Sequence, residues 1–152
     1  FDEIFRREWD RTRRDQQEIS LLYLDVDYFN LYNENYGLVA GDAVLQKIAQ
    51  VLRDSLLRPA DQACRYSGES FLLILPNTNT QGAVEVAGRI IASVDRLAVE
   101  HRWSQVASHI TVSIGVASST CDETENLELL IRADDALYQA KRAGRHRVFV
   151  NG

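Results

Sequence analysis

Eight residues constrain the fold most: Ile19-Ser20-Leu21-Leu22-Tyr23-Leu24-Asp25-Val26. The run is too short for a buried helix and nearly continuous in its apolar character. A strand covered on both faces needs that pattern. The run ends in carboxylates, Asp25 and Asp27, so those residues belong at the rim of a sheet rather than in its middle. Rims of this kind are where α/β and α+β proteins place their sites.

The rest of the chain fits around that strand. Residues 1–17 carry Phe1, Ile4, Phe5 and Trp9 at helical spacing, which predicts an amphipathic helix entering the domain. Asp27 is expected to cap a short helix through about Tyr36, stopped by Gly37. A longer helix is predicted from Ala40 to Leu57, with Val44, Leu45, Ile48, Val51 and Leu52 on one face and Pro59 ending it. Gln62–Cys64 and Phe71–Pro76 read as the arms of a hairpin. Thr80–His101 is predicted helical. His109–Ser118 alternates and is β-branched, as a strand is. Leu127–Ala143 is a last helix closed by Gly144, and Val148–Val150 a final strand. The order β-α-α-β-β-α-β-α-β, with one hairpin, implies an α+β fold with helices packed on a mixed sheet.

Bulk properties exclude several function classes. A net charge of −5 disfavours a general binder of nucleic acid or of anionic membrane. No apolar run approaches the roughly 18 residues a membrane span needs, and no signal-peptide pattern opens the chain. Cys64 and Cys121 have no metal-type spacing with each other or with His101, His109 and His146. They read as reduced packing residues of a cytoplasmic protein. The chain opens already in helical pattern, as a piece of a longer protein does.

Chemistry concentrates at two places. Asp25 ends the central strand, and Glu69 lies in the turn Arg65-Tyr66-Ser67-Gly68-Glu69-Ser70-Phe71. If the hairpin pairs beside the central strand, Asp25 and Glu69 face one another. Such an oxygen-rich site suits Mg²⁺. The structural alternative is that Asp27 caps a helix, Asp25 makes a salt bridge and Glu69 is solvated.

The turn Ser67-Gly68-Glu69-Ser70-Phe71 resembles the Gly-Gly-(Asp/Glu)-Glu-Phe turn that names the GGDEF family of diguanylate cyclases. Further matches follow in order along the chain. Leu24-Asp25-Val26-Asp27-Tyr28-Phe29 resembles the family's first strand and metal loop. Asn33 and Gly41-Asp42 fall where the family reads guanine. Val112-Ser113-Ile114-Gly115-Val116 resembles its central strand. Ala133-Asp134-Asp135-Ala136-Leu137-Tyr138-Gln139-Ala140-Lys141 and Gly144-Arg145-His146-Arg147-Val148 resemble its closing helix and strand.

The resemblance implies a single GGDEF-type domain over residues 1–152, cut from a multidomain signalling protein. Its fold would be a mainly antiparallel five-stranded sheet flanked by helices, similar to the nucleotidyl cyclase and polymerase palm. It also implies a reaction. Two domains meet face to face, each holding GTP with two Mg²⁺ (or Mn²⁺) ions, and form cyclic di-GMP and two pyrophosphates. On this chain, the resemblance makes Asp25 and Glu69 the catalytic acidic residues, and Asp25, the Val26 carbonyl and Glu69 the metal ligands. Asn33 and Asp42 would read guanine, Gly68 would let the backbone approach the nucleotide, and Lys141 and Arg145 would neutralise phosphate. Each has a structural alternative: Asp42 as a helix cap, Lys141 and Arg145 as complements to a helix dipole, Asn33 as a solvated residue. Arg58-Pro59-Ala60-Asp61 matches the family's Arg-x-x-Asp site for cyclic di-GMP, with an exposed ion pair as its alternative.

Three positions depart with a clear expected cost. Ser70 stands where the family has a metal-holding Glu, and a hydroxyl is a far weaker ligand there. Ser67 replaces a glycine and is expected to dislike positive φ. Asn30 replaces a common Lys near the phosphates. Leu38 and His146 also differ from frequent family residues. Together the departures predict weakened or lost synthesis with retained binding of GTP, cyclic di-GMP or both. An active cyclase that tolerates the variant turn is the alternative.

Overall fold

The computed structural model describes residues 1–120 and 126–151; Cys121 lies outside the described residues. The predicted central strand is β1 (Ile19–Val26), and every residue in it except Tyr23 is buried. β1 pairs antiparallel with β3 (Ser70–Pro76) on one side and β4 (Val112–Ser119) on the other. β2 (Gln62–Ser67) completes the hairpin with β3, and β5 (Val148–Asn151) lies parallel to β4. The sheet order is β2-β3-β1-β4-β5, a mixed, mainly antiparallel five-stranded sheet as expected.

Two helical layers cover it. α3 (Leu38–Ser55) and α4 (Thr80–Leu97) pack on one face. There Ile48, Leu52 and Ile90 meet Leu22, Leu24, Leu73, Ile114 and Val116. On the other face, Phe5 and Trp9 of α1 (Asp2–Asp15) and Leu129 and Ala133 of α5 (Asn126–Arg142) cover Ile19, Leu21, Ile74 and Ala117. Each large side chain buried this way contributes about 1.5–3 kcal/mol. The alternation of β1 thus sends Leu22, Leu24 and Val26 to one layer and Leu21, Tyr23 and Asp25 to the other. The short helix α2 (Phe29–Tyr36) follows β1 directly.

One glycine sets how α5 lies. A Cβ on Gly115 would fall well under 3.0 Å from backbone atoms of Ala133 and Leu137. Only glycine lets the helix backbone rest on β4 there. The helix then ends in a Schellman motif: the Gly144 amide bonds the Lys141 carbonyl at 3.3 Å and the Arg145 amide bonds the Ala140 carbonyl at 2.9 Å. Gly144 has φ of 124°, which fits its role in closing the helix.

Several boundaries differ from expectation. The first helix stops at Asp15, where Gln16 turns left-handed. α3 begins at Leu38 rather than Ala40, because Gly37 both ends α2 and caps α3. Asp42 therefore sits inside the helix and caps nothing. α4 stops at Leu97 rather than His101, since Ala98 adopts φ of 50°. β4 starts at Val112 rather than His109, because His109 makes only an isolated bridge to Glu100. Asp27 does not cap α2: the N-cap is Tyr28, with no side-chain cap bond.

Candidate active site

The end of β1 opens into a cleft of about 430 Å³ lined by Asp25, Asp27, Tyr28, Asn30, Glu34, Glu69, Lys141 and Arg145, among others. β1 supplies Asp25, the hairpin tip Glu69, the end of α5 Lys141 and the turn after it Arg145. The hairpin does pair beside β1. Ser70, not Glu69, stands directly opposite Asp25, while the Glu69 carbonyl accepts from the Val26 amide at 3.3 Å.

Asp25 is buried, and its two oxygens differ. Oδ2 pairs with Lys141 Nζ, whereas Oδ1 is buried with no hydrogen-bond partner. An unpaired buried carboxylate oxygen is costly unless something else satisfies it. Asp25 Oδ1 and the Glu69 carboxylate are hard oxygen donors in one cleft, which fits a divalent cation of the Mg²⁺ or Mn²⁺ type. Ser70 is itself buried and hydrogen-bonded to the Tyr23 phenol. Burial above all, then the Asp134, Tyr66 and Asp25 charges, pushes the Tyr23 pKa up, and the Ser70 bond partly offsets this.

The tip corrects one expectation. Neither Ser67 nor Gly68 has positive φ, and a Cβ on Gly68 would meet nothing within 4 Å. Ser67 therefore carries no backbone strain, and its cost is limited to its side-chain bulk. Arg65 clamps the turn by donating from Nη2 to the Gly68 carbonyl at 2.6 Å.

Asp27 plays a different part from Asp25. Its Oδ2 accepts from Thr111 Oγ1 at 2.8 Å and from the His146 amide at 3.1 Å, and its Oδ1 accepts from Ser113 Oγ at 2.6 Å. These bonds tie β1, β4 and the α5–β5 turn into one corner. Next to it, Tyr28 holds φ of 55°, an uncommon conformation for a bulky residue. Its carbonyl is 3.1 Å from the buried His101 Nε2, and the Arg145 guanidinium lies 4.5 Å from its ring centroid. That stacking aims Arg145 at the cleft.

The proposed base readers lie elsewhere. Asn33 Oδ1 is buried without a partner. It faces Gly41, where any Cβ would collide with it. Asp42 is exposed and lines a second cleft of about 500 Å³ with Gln46, Arg53, Arg65 and Phe71. The hairpin tip stands between the two clefts, with Glu69 in the first and the Arg65 clamp in the second. Asn33, Asp42 and Gly68 do not line the first cleft.

Arg58 and Asp61 are the ends of one β-turn. The Asp61 amide bonds the Arg58 carbonyl at 3.1 Å, with Pro59 in the second position that proline favours. They form no ion pair. Arg58 donates to the Asn77 carbonyl and to Thr78 Oγ1, and Asp61 Oδ1 is buried and unpartnered. Burial raises the Asp61 pKa above 3.8, partly offset by Arg58 and Arg89.

Sequence reasoning missed Glu34 and Arg89. Glu34 lies one helical turn beyond Asn30, so its place in the cleft follows once α2 is drawn as a helix. Arg89 of α4 donates to the Ser55 carbonyl and its charge acts on Asp61, which no local spacing reveals.

A family profile described as "Diguanylate cyclase, GGDEF domain" matches residues 1–147. Diguanylate cyclase A of Treponema denticola is 39% identical over 133 residues, covering 88% of this chain and 35% of that protein. Diguanylate cyclase VdcA of Vibrio cholerae is 42% identical over 134 residues, covering 87% and 39%. The chain thus spans little more than a third of these curated relatives. The solved GGDEF domain of DgcB from Caulobacter crescentus, in complex with c-di-GMP, matches with TM-score 0.89 and 31% identity, covering 99% of this chain and 88% of that one. The active GGEEF domain of a Vibrio cholerae diguanylate cyclase matches with TM-score 0.84 and 30% identity, covering 97% and 92%. No helix among the described residues is long and apolar enough to cross a membrane.

Proposed function

The chain belongs to the GGDEF family of diguanylate cyclase domains, and from that premise we propose that it is a guanine-nucleotide module whose synthetic activity is weakened or lost. We read it as one module of a longer cytoplasmic signalling protein. It binds GTP across the hairpin tip and cyclic di-GMP at the Arg58–Asp61 turn.

One observation carries the reading: Asp25 keeps a buried unpartnered oxygen in a cleft shared with Glu69, Lys141 and Arg145, while neutral Ser70 stands opposite it. Asp25 and Glu69 would hold the metal, with the Val26 carbonyl beside them. When bound, such a metal lowers the pKa of an attacking 3′ hydroxyl and neutralises phosphate charge. Lys141 and Arg145 draw the triphosphate into the same cleft. Asn33 and Asp42 receive the base from α2 and α3. A Glu at position 70 would place a further carboxylate on the same sheet face as Asp25. Ser70 removes that charge from a site that depends on charge. Asn30 lines the cleft as a neutral residue and leaves phosphate binding to Lys141 and Arg145. Synthesis, where it persists, needs a second domain placed face to face, so that each GTP attacks the other.

The surviving acidic pair favours a second reading, an active cyclase that tolerates its turn. The test is GTP with Mg²⁺ added to the pure protein, with cyclic di-GMP quantified and GTP binding measured in parallel. Binding with little product supports the module. Product at the rate of a Ser67→Gly/Ser70→Glu variant supports the active cyclase. Absence of both overturns nucleotide binding at this cleft.

A further inference from the structure

A cluster that the nucleotide site does not use lies behind the α5–β5 turn. Asp95 comes from the end of α4, His109 from the connection before β4, and His146 from the turn after α5. His109 Nε2 lies 3.1 Å from Asp95 Oδ1, and His146 Nε2 lies 2.8 and 2.9 Å from Asp95 Oδ1 and Oδ2. One ligand atom from each residue falls within 4.8 Å of the others. We infer that these three residues form a binding site for a divalent transition metal of the zinc class, separate from the oxygen-donor cleft at Asp25.

The donor set points to that class. Two imidazole nitrogens and one carboxylate suit Zn²⁺ and its neighbours in the first transition row, whereas Mg²⁺ prefers oxygen alone. The contacts of both histidines to Asp95 are close to those a metal requires. With bonds of about 2.0–2.1 Å, neighbouring ligands of a tetrahedral ion stand roughly 3.3 Å apart. The contacts to Asp95 need open by only a few tenths of an ångström. The side chains are 30%, 32% and 30% exposed for His109, Asp95 and His146. An ion can therefore enter from solvent, and a fourth position remains for water.

The third ligand is also held in advance. Arg145 and His146 both adopt left-handed backbone, φ 63° and 52°. The His146 amide donates to Asp27 Oδ2 and Ser113 Oγ at 3.1 and 3.2 Å. That anchor fixes the backbone from which the imidazole extends, as supporting bonds orient ligands in metal sites. A plain ion pair would need one histidine beside Asp95. Here two imidazoles from distant segments turn the same nitrogen toward one carboxylate. The site stands whether or not the nucleotide cleft is active.

Calorimetry with Zn²⁺ on the 152-residue chain, and absorption with Co²⁺ as the spectroscopic probe, test it. The expected result is one ion per chain at low-micromolar affinity, tetrahedral Co²⁺ bands, and no competition from excess Mg²⁺. His109→Ala and His146→Ala should each weaken Zn²⁺ by at least about tenfold. Asp95→Asn keeps a hydrogen-bond acceptor for the imidazoles and should fold, yet lose the Co²⁺ bands. Zn²⁺ at a hundredfold excess over its Kd should raise the wild-type Tm by roughly 5–10 °C and leave the double histidine variant unmoved. Wild-type protein that binds no Zn²⁺, or a folded double variant that binds it equally, would overturn the site.

Discussion

Asp25 and Asp27 stand two residues apart at the end of one strand, both buried, and the fold treats them oppositely. Asp27 spends its oxygens on Thr111, Ser113 and the His146 amide. Asp25 gives one oxygen to Lys141 and leaves the other without a partner. A saturated buried carboxylate is a structural joint; an unsaturated one is kept for a ligand. Asp61 repeats the second pattern away from the cleft, with its own unpartnered buried oxygen.

The sharpest way to break that contrast is stability. Asp27→Ala would orphan the Thr111 and Ser113 hydroxyls in a buried corner and leave the His146 amide only its longer bond to Ser113 Oγ. The expected loss is about 3 kcal/mol or more, read in urea unfolding, with a Tm fall of roughly 6–12 °C. Asp25→Asn removes one partly exposed ion pair and should stay within about 1 kcal/mol of wild type. It should nevertheless abolish Mg²⁺-dependent GTP binding. Equal destabilisation by the two would mean that Asp25 is also a joint.

The next effect concerns the residue opposite Asp25. Ser70→Glu adds a carboxylate to the same sheet face and should raise Mg²⁺-supported GTP affinity by about ten- to a hundredfold, with synthesis rising alongside. Adding Ser67→Gly should bring little more, because Ser67 has no positive φ to relieve. A rise only in the double variant would show that the tip's bulk, and not the missing charge, limits the site.

Why Asp25 and Asp27 looked alike in sequence is instructive. β1 was legible because a strand buried on both faces needs an apolar run, and Gly37 and Gly144 were legible because helix ends need them. The partners of Asp27 lie 84 and 86 residues along the chain, at Thr111 and Ser113. No local pattern reports such a contact, so helix capping, the nearest local use of an Asp, was the expectation. Separations of 14 and 51 residues likewise hid Asp95 from His109 and His146. Lys141 and Arg145 were legible only through the family's motif order. Their convergence on the cleft depends on Gly115 letting α5 lie flat on β4.

Away from the cleft the effects shrink. Arg58 is exposed and already engaged by the Asn77 carbonyl and Thr78. Arg58→Ala should lower cyclic di-GMP affinity by about tenfold in calorimetry, the worth of one charged hydrogen-bonding partner. Unchanged affinity would assign the product to another surface. Asn33 and Asp42 should give GTP a preference over ATP of about fivefold to tenfold in competition titration, since adenine leaves their polar groups unpaired. Asp42→Ala should erase that preference at no cost in helix capping, because Asp42 lies within α3 rather than at its start.

The smallest effect tests the contrast from the opposite side. Burial raises the Asp61 pKa above 3.8, so the fold disfavours its charged form. A carboxyl with a raised folded pKa contributes its full stability below pH 3.8, where both states are protonated. That contribution is lost as pH rises from there through the folded value, and then stays level. Asp61→Asn removes the ionisation and should raise Tm at pH 7 by roughly 1–2 °C, a modest gain because solvent and the nearby Arg58 and Arg89 screen the charge. The difference should vanish in melts below pH 3.8. The same variant should bind cyclic di-GMP more weakly, because an amide is a poorer acceptor for guanine N–H groups than a carboxylate. A residue that costs stability and supports binding is one retained for its ligand. A variant that melts lower than wild type at pH 7 would instead make Asp61 a joint like Asp27, and the turn would lose its claim as a nucleotide site.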